Sequence, residues 1–591
     1  MTAATSPRFD AIRFVCCTVL TAHVVAIVAR DYPLVGSDLR YYIPRLLDTL
    51  IHHQVNGALA IQWYTPAFGG GLPAFPNPQH LQHSVLQALT AFVNPWVAYL
   101  LTGAAALCAG FYAFAAVLQN RLGLGRDAAT LGAIFYIGNG FFIEHLIIGH
   151  VGFQLLPLAA VMVATCLDED RPLFARGCAL ALIVCAMLYH AGIYSIFLSA
   201  FSLSLVLPVI AIIRPGCVRF RSLAIVVAIA LPIATAIAAP RLSAALSFLR
   251  QFPREIEDLY EVGLLQALAG LLAQLVGSMT LAPLFVVAGI EPGRLYGALA
   301  RLTGASDRFG IWELDVGLSP IAWMLLALAA GRALAHVRRD RLPEIQRQTW
   351  IACGLGAVIA WLLVEATLAR GFVYPLLKPL PILRSLHVNP RIAVVFIMPL
   401  AIIAATTAHR RYGPSTDRRT MAVLLSLAVV APASYFLFPG HVQGRAFDLT
   451  LSLDTDQRIR ARESFVVDRI VDAGDAEALA TSASSYRPYE PLFGYDLAEF
   501  TAETLPGDVY AVRDGAFNMT NPASLVFPEL NRLRPFDRIA AGERENLDAL
   551  VQRRPPRWMI PRLQDRLQWV AVGALVAAAL GVLLSGRRPR R

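Results

Sequence analysis

Asp38 follows Gly36 and Ser37 where the first long apolar run ends, and it opens a stretch unlike a connecting loop. Between Tyr32 and His83 come a helix-like run from Leu39 to Leu50, then Trp63-Tyr64-Thr65-Pro66, Gly69-Gly70-Gly71-Leu72-Pro73 and Asn77-Pro78-Gln79-His80. Acid, imidazole, amide and indole side chains sit on a path that glycine and proline constrain. A carboxylate held under low-dielectric walls can act as a general base or bind a cation. Asp at the start of a helix also serves as an N-cap, and both readings stay open for Asp38.

Glu144 ends another apolar run, with His145 beside it and His150 shortly after. Carboxylate and imidazole in one membrane-facing turn could hold Mg²⁺ or Mn²⁺, with Asp38, Glu144 and His150 as ligands. A glutamate at a helix end that simply faces solvent is the plainer reading. Of the twelve histidines, His52, His53, His80, His83, His145, His150, His190, His387 and His441 fall on or near the segments read below as outer, where imidazole is useful as ligand and proton carrier. Glu365 and His190 lie inside or at the end of apolar runs, where ionisable groups face a cavity or a partner. The segment from Pro379 to Arg391 carries Arg384 and Arg391, with Lys378 just before it. Guanidinium groups there could grip a phosphate through two parallel hydrogen bonds, or anchor the chain at the headgroups. Trp63 and Tyr64 could stack on a sugar ring, or mark the membrane interface.

What must position these residues is a membrane bundle. The 591 residues are 56% hydrophobic and 16% charged, with mean hydropathy +0.55. A soluble chain carries about 25% charged residues. Apolar runs long enough to span a bilayer stand near 11–30, 95–118, 127–146, 150–167, 175–191, 193–213, 221–240, 317–336, 349–368, 391–409, 420–438 and 567–585. The net charge of +10 is almost all arginine, gathered in short segments such as Arg338, Arg339, Arg341 and Arg347, Arg410, Arg411, Arg418 and Arg419, and the tail Arg587 to Arg591. That pattern reports topology rather than nucleic-acid binding. It places both termini in the cytoplasm and the large segments 31–94 and 241–316 outside. Leu264 to Val276 within the latter is apolar enough to lie on the membrane surface. Residues 439–566 mix Asp, Glu and Arg with short β-like runs, Ser464–Val467 and Asp508–Val512, and read as a small α+β outer domain. The eight cysteines avoid the outer segments, so no disulfide framework is expected. No G-x-x-x-x-G-K-[ST] motif occurs, which argues against an ATP-driven pump.

Gly36-Ser37-Asp38, Trp63–Pro66 with Gly69–Pro73 and Asn77-Pro78, Glu313-Leu314-Asp315-Val316-Gly317-Leu318, and Pro381–Arg391 together resemble the GT-C superfamily of membrane glycosyltransferases, and within it the bacterial YfhO-like membrane proteins, over roughly residues 1–440. The resemblance implies an all-α polytopic membrane fold of about twelve transmembrane helices, with 1–438 as the catalytic module, 439–566 as the outer domain, and 567–591 as a last helix with a basic tail. It implies a polyprenyl-phosphate-linked sugar donor and an extracytoplasmic glycan, lipid or protein acceptor at a bacterial inner membrane. Asp38 would be the base or metal-associated carboxylate, and Glu144 the second acid. This chain has Glu144-His145 where an Asp-x-Asp would stand. Catalytic candidates are therefore Asp38 and Glu144, and substrate-binding candidates Trp63, Tyr64, His80, His150, Lys378, Arg384 and Arg391. Two other readings stand beside this one. A transporter or flippase for lipid-linked saccharides should show related halves and mid-membrane polar residues, and neither is evident. A non-catalytic factor in envelope polysaccharide assembly would tolerate loss of Asp38.

Overall fold

The computed structural model describes residues 10–251, 263–291, 310–338, 347–368, 388–412, 418–437, 444–491 and 503–585, with a few residues between 294 and 301 and between 375 and 379. Among these, ten helices are long and apolar enough to cross a bilayer. Three shorter apolar helices lie at Val151–Leu167, Leu173–Tyr189 and Pro320–Ala335. The chain is a multi-pass membrane protein. The twelve apolar runs read from the sequence all fall on these helices. A thirteenth, Leu264–Val287, is 24 residues long and could itself span, although its first half reads as a surface helix in sequence.

The bundle is built around Arg126–Ile137, which packs against Pro95–Ala116, Ile397–Tyr412, Arg418–Val430 and Ala11–Val28. A second group joins Phe220–Gln251 to Leu173–Tyr189 and Arg562–Leu584. At one end of the bundle Arg13 reaches Gln119, and the Gly125 N–H donates to His409 Nδ1, next to Arg410 and Arg411. The other end, called outer after the sequence reading, carries Asp38 and the segments that follow residues 31 and 444.

Two interruptions shape that outer end. The run expected as one span at 127–146 breaks at Gly138, and Asn139 restarts it as Gly140–Ile148, its side chain accepting from the Phe142 N–H at 3.1 Å. Leu264–Val287 breaks at Gly277, whose φ of +64° suits glycine. The break frees backbone groups that must be satisfied inside the protein. Val316 and Gly317 donate to the Gln274 carbonyl at 3.1 Å, Leu318 to Leu275 at 2.9 Å, and the freed Ser278 N–H goes to the Asp315 carboxylate at 3.1 Å. The loop 313–318 is thus stitched into the broken helix.

Above the bundle, the first outer segment and the chain after residue 444 form one body. Leu34–Gly36 pairs antiparallel with Arg445–Asp448. Gly69, Gly70 and Gly71 all have positive φ, and they thread between the two three-stranded sheets of the later segment. Gly69 N–H donates to Ser485 O at 2.8 Å, and Thr520 N–H to Gly70 O at 2.8 Å. The second half supplies strands at Arg469–Val471, Gly507–Asp508, Val512–Arg513 and Ala516–Thr520, so Asp508–Val512 divides between two short strands and Ser464–Val467 is not a strand.

Buried ion pairs lock the two halves. Arg45 meets Asp475 at 3.0 Å and Glu490 at 3.5 Å, and Arg553 meets Asp48 at 3.0 Å. Arg241, from Phe220–Gln251, ties this body to the bundle by donating to the carbonyls of Phe75 and His80. A buried charge stripped of its partner is costly, whatever the intact pair is worth. Arg45→Ala leaves Asp475 and Glu490 buried without their cation, and is expected to cost about 3–5 kcal/mol. Thermal unfolding and limited proteolysis of the detergent-solubilised chain should show the outer body opening first.

Candidate functional site

Asp38 occupies the N-cap position of the helix Leu39–Asn56, yet its side chain makes no capping hydrogen bond. Its backbone is pinned instead: the Asp38 N–H donates to Ile148 O at 3.1 Å and Ser37 N–H to Gly444 O at 2.7 Å. Gly36 lies against the backbone of Ile147 and Ile148, where a Cβ has no room. Gly149 ends the helix Gly140–Ile148 in the left-handed conformation and turns the chain so that His150 comes back over it.

The carboxylate so released meets His150, with Asp38 Oδ2 2.7 Å from His150 Nε2. A carboxylate accepts, so this nitrogen carries the proton, and His150 Nδ1 is left buried with no hydrogen-bond partner among the described residues. His145 Nδ1 lies 3.0 Å from the Phe141 carbonyl, which fixes the proton there and turns Nε2 towards Glu313 Oε2 at 3.7 Å. His150 Nε2 is 4.0 Å from Glu313 Oε1. Arg391 then closes on Glu313 with two parallel hydrogen bonds, Nε to Oε2 at 2.6 Å and Nη2 to Oε1, while its guanidinium rests over Phe153. Burial works against the charge on Glu313, but Arg391 beside it, with His145 and His150, outweighs this and holds the carboxyl well below its usual range.

Glu144 goes elsewhere. It is buried, and its charge is felt by Asp315 and Tyr435. Tyr435 Oη donates to Asp315 at 2.9 Å, and burial followed by the Glu144 charge pushes Asp315 up to about 6. This is a second buried acidic cluster, next to the Gly277 break. Of the ligand set read from the sequence, Asp38 and His150 therefore meet, while Glu144 belongs to the second cluster. Among the described residues, the three side chains whose donor atoms lie within 4.8 Å of one another are His145, His150 and Glu313. His145 Nε2, buried and without a hydrogen bond, could turn a lone pair to a cation there. Two imidazoles suit a transition metal such as Mn²⁺ better than Mg²⁺, although Arg391 already holds both Glu313 oxygens.

The other candidates are placed as follows. Trp63 packs on Phe75 and Phe527, and Tyr64 on Trp558, inside the outer body. His80 is buried, contacts Thr49 at 3.3 Å and lends its carbonyl to Arg241. His190 faces Gln154 at 2.8 Å. Glu365 lies on Arg347–Thr367, with one carboxylate oxygen lacking a hydrogen-bond partner among the described residues. Lys378, Arg384, His387 and His441 lie outside the described residues. Glu313 and Tyr489 were missed as site residues. Glu313 stood in a noted motif, but with no role. Tyr489, whose Oη lies 3.4 Å from Asp38 Oδ1, had no signal beyond an aromatic-rich loop.

No protein-family model and no curated protein matches this chain. Among solved structures, it is similar to the arabinofuranosyltransferase AftD from Mycobacteria at 15% identity and a TM-score of 0.38, over 77% of this chain and 29% of that one. It is also similar to ArnT from Cupriavidus metallidurans, solved bound to undecaprenyl phosphate, at 13% identity and a TM-score of 0.37, over 80% of this chain and 85% of that one. The chain thus spans less than a third of the length of AftD. Scores of this size do not establish a shared fold.

Proposed function

We propose that this chain is a membrane glycosyltransferase of GT-C type that moves a sugar from a polyprenyl-phosphate-linked donor to an extracytoplasmic glycan, lipid or protein, in a bacterial inner membrane with both termini cytoplasmic. One observation carries the reading. Asp38 is not used as a cap and is joined to His150 at 2.7 Å, where three separate outer connections meet beside the bundle. Transfer from a lipid phosphate needs a base for the acceptor hydroxyl, and a carboxylate–imidazole pair supplies one. The Asp38 carboxylate, which reaches the surface, takes the proton, while His150 Nε2–H holds it in place. Glu313 and Arg391 hold the opposite wall rigid and neutral. A divalent cation, where bound, would sit on His145, His150 and Glu313 and stabilise negative charge developing on the leaving phosphate.

Asp38→Asn is expected to lower transfer by about 10²–10⁴-fold, read as radiolabelled sugar moved by membranes or purified chain. Its expression, membrane insertion and thermal stability should stay near those of the unaltered protein, because no structural bond of the carboxylate caps a helix. Full transfer by this variant removes the proposed base. Glu313→Gln should behave oppositely in stability, losing about 3–5 kcal/mol because the largely enclosed Arg391 is left without a counter-ion. Thermal unfolding compares the two directly. Chelation with EDTA should slow transfer, with Mn²⁺ restoring it better than Mg²⁺. Unchanged rates after chelation would leave Arg391 as the resident cation.

A further inference from the structure

The seam between the two helix groups carries a cavity at the end of the bundle opposite Asp38. It is open, measures about 760 Å³ and takes its walls from both groups. Ligand sites commonly hold about 300–1,000 Å³. Ala116, Ala164 and Ala179 leave space there, which Leu182, Ile183 and Val582 line with hydrocarbon. The helix Pro95–Ala116 widens beside it into a π turn, Val117–Arg121, a distortion that recurs at functional sites. Val117, Asn120 and Arg121 of that turn line the cavity. Gln119 of the same turn meets Arg13, which fixes the cavity at the end away from the outer body.

The polar rim is unequal in charge. Arg121, Arg171 and Arg176 line it together with Asp168 and Asp170. Asp168 is shared between Arg121 at 3.3 Å and Arg171 at 3.5 Å, and the adjacent Glu169 is taken by Arg219 at 3.1 Å. Arg176 is only 3% exposed. Every hydrogen bond its side chain makes among the described residues goes to a neutral group: Nε to Thr165 O at 3.2 Å, Nη1 to Ser222 Oγ at 3.0 Å, and Nη2 to Cys166 O. An arginine near a membrane interface ordinarily snorkels to the headgroups. This one turns inward, and a buried charge without a counter-ion is costly. A guanidinium carries more N–H groups than these three bonds use. Arg176 also stands in the first turn of Leu173–Tyr189, whose start no side chain caps, so the positive end of the helix adds to the demand for an anion. Ala179 and Ile183 follow Arg176 on one face of that helix. An anionic head and a hydrocarbon tail are therefore both provided for, one above the other.

We propose that this cavity binds one anionic glycerophospholipid from the leaflet at that end, with its phosphate on Arg171 and Arg176 and an acyl chain along Ala179, Ile183 and Val582. The site stands apart from the transferase reading and does not depend on it. The bound lipid closes the seam between the group around Arg126–Ile137 and the group of Phe220–Gln251, Leu173–Tyr189 and Arg562–Leu584.

The test uses the full chain, delipidated in detergent, with phosphatidylglycerol, phosphatidylcholine of the same acyl chains, and inorganic phosphate as probes. Native mass spectrometry reads bound lipid and thermal unfolding reads stabilisation. Phosphatidylglycerol should bind about fivefold or more tighter than phosphatidylcholine and raise the unfolding temperature. Arg171→Ala should weaken phosphatidylglycerol by about fivefold, and Arg176→Gln should remove the preference between the two lipids. Ala179→Phe fills the cavity without removing a polar contact, and should lose the bound lipid while keeping the fold. Arg171→Ala and Ala179→Phe decide the matter even where Arg176→Gln does not fold. Equal binding of the two lipids by the unaltered chain overturns the proposal, as does a preference that Arg171→Ala and Ala179→Phe both leave intact. Stabilisation by inorganic phosphate with no added effect of phosphatidylglycerol overturns the assignment to a lipid.

Discussion

Everything at the outer end depends on one backbone junction. The Asp38 N–H is bonded to the last carbonyl of Gly140–Ile148, and the strand before it is paired with Arg445–Asp448. These bonds place the start of Leu39–Asn56 on top of a bundle helix and beneath the outer body at once. They also remove the ordinary use of an aspartate at that position. A helix start whose first turn is satisfied through backbone bonds, such as Tyr41 N–H to Asp38 O at 3.0 Å, has no call on the side chain. The carboxylate is left to turn towards His150. Gly36 and Gly149 make the approach possible, one because no side chain fits and the other because the chain must turn left-handed there.

Charge explains the rest of the arrangement. Asp38 and Glu313 bring two negative charges to the site and Arg391 one positive, with two imidazoles between them. With both rings neutral, the group carries one net negative charge in a low-dielectric setting. It has room for one proton or one cation and none to spare for a phosphate. A phosphorylated ligand would need positive charge from outside this cluster.

The parts of this site that could be read in sequence are those whose local setting already marks them. Asp38 stands out by following a span, His150 by its turn, and Arg391 by its place at the entry to an apolar run. Glu144 and Glu313 show the limit. Adjacent residues on a helix point about 100° apart, so Glu144 and His145 face different neighbours although the sequence presents them as a pair. Which acid joins the histidines is decided by where the loop 313–318 is stitched, and that depends on a break at Gly277 forty residues earlier. The spans were readable because length and apolarity are local. The union of segment 31–94 with 445–560 was not, because strand pairing across four hundred residues leaves no periodic trace in either partner. The triple glycine did announce an unusual path, but not that sheets on both sides enforce it.

The broken helix Leu264–Val287 shows how the second acidic cluster supports the first. A helix interrupted within apolar surroundings must find partners for its freed amides and carbonyls, and here one loop supplies them for Gln274, Leu275 and Ser278. Asp315 takes the Ser278 N–H and the Tyr435 hydroxyl, while its neighbours Val316, Gly317 and Leu318 fill the open carbonyls. Glu313 lies two residues before Asp315 on the same loop, so anything that loosens the break also moves the carboxylate that holds Arg391. Asp315 is also the acid whose burial, with Glu144 close by, keeps it prone to take up a proton near neutral pH. As a protonated acid it could accept from Ser278 while donating elsewhere. As a carboxylate it can only accept, and it must then share a buried space with a second acid. The geometry of the Glu313–Arg391 pair is in this way tied to a break in the membrane bundle, and irregular backbone in a membrane protein is tolerated only if other protein groups enclose it.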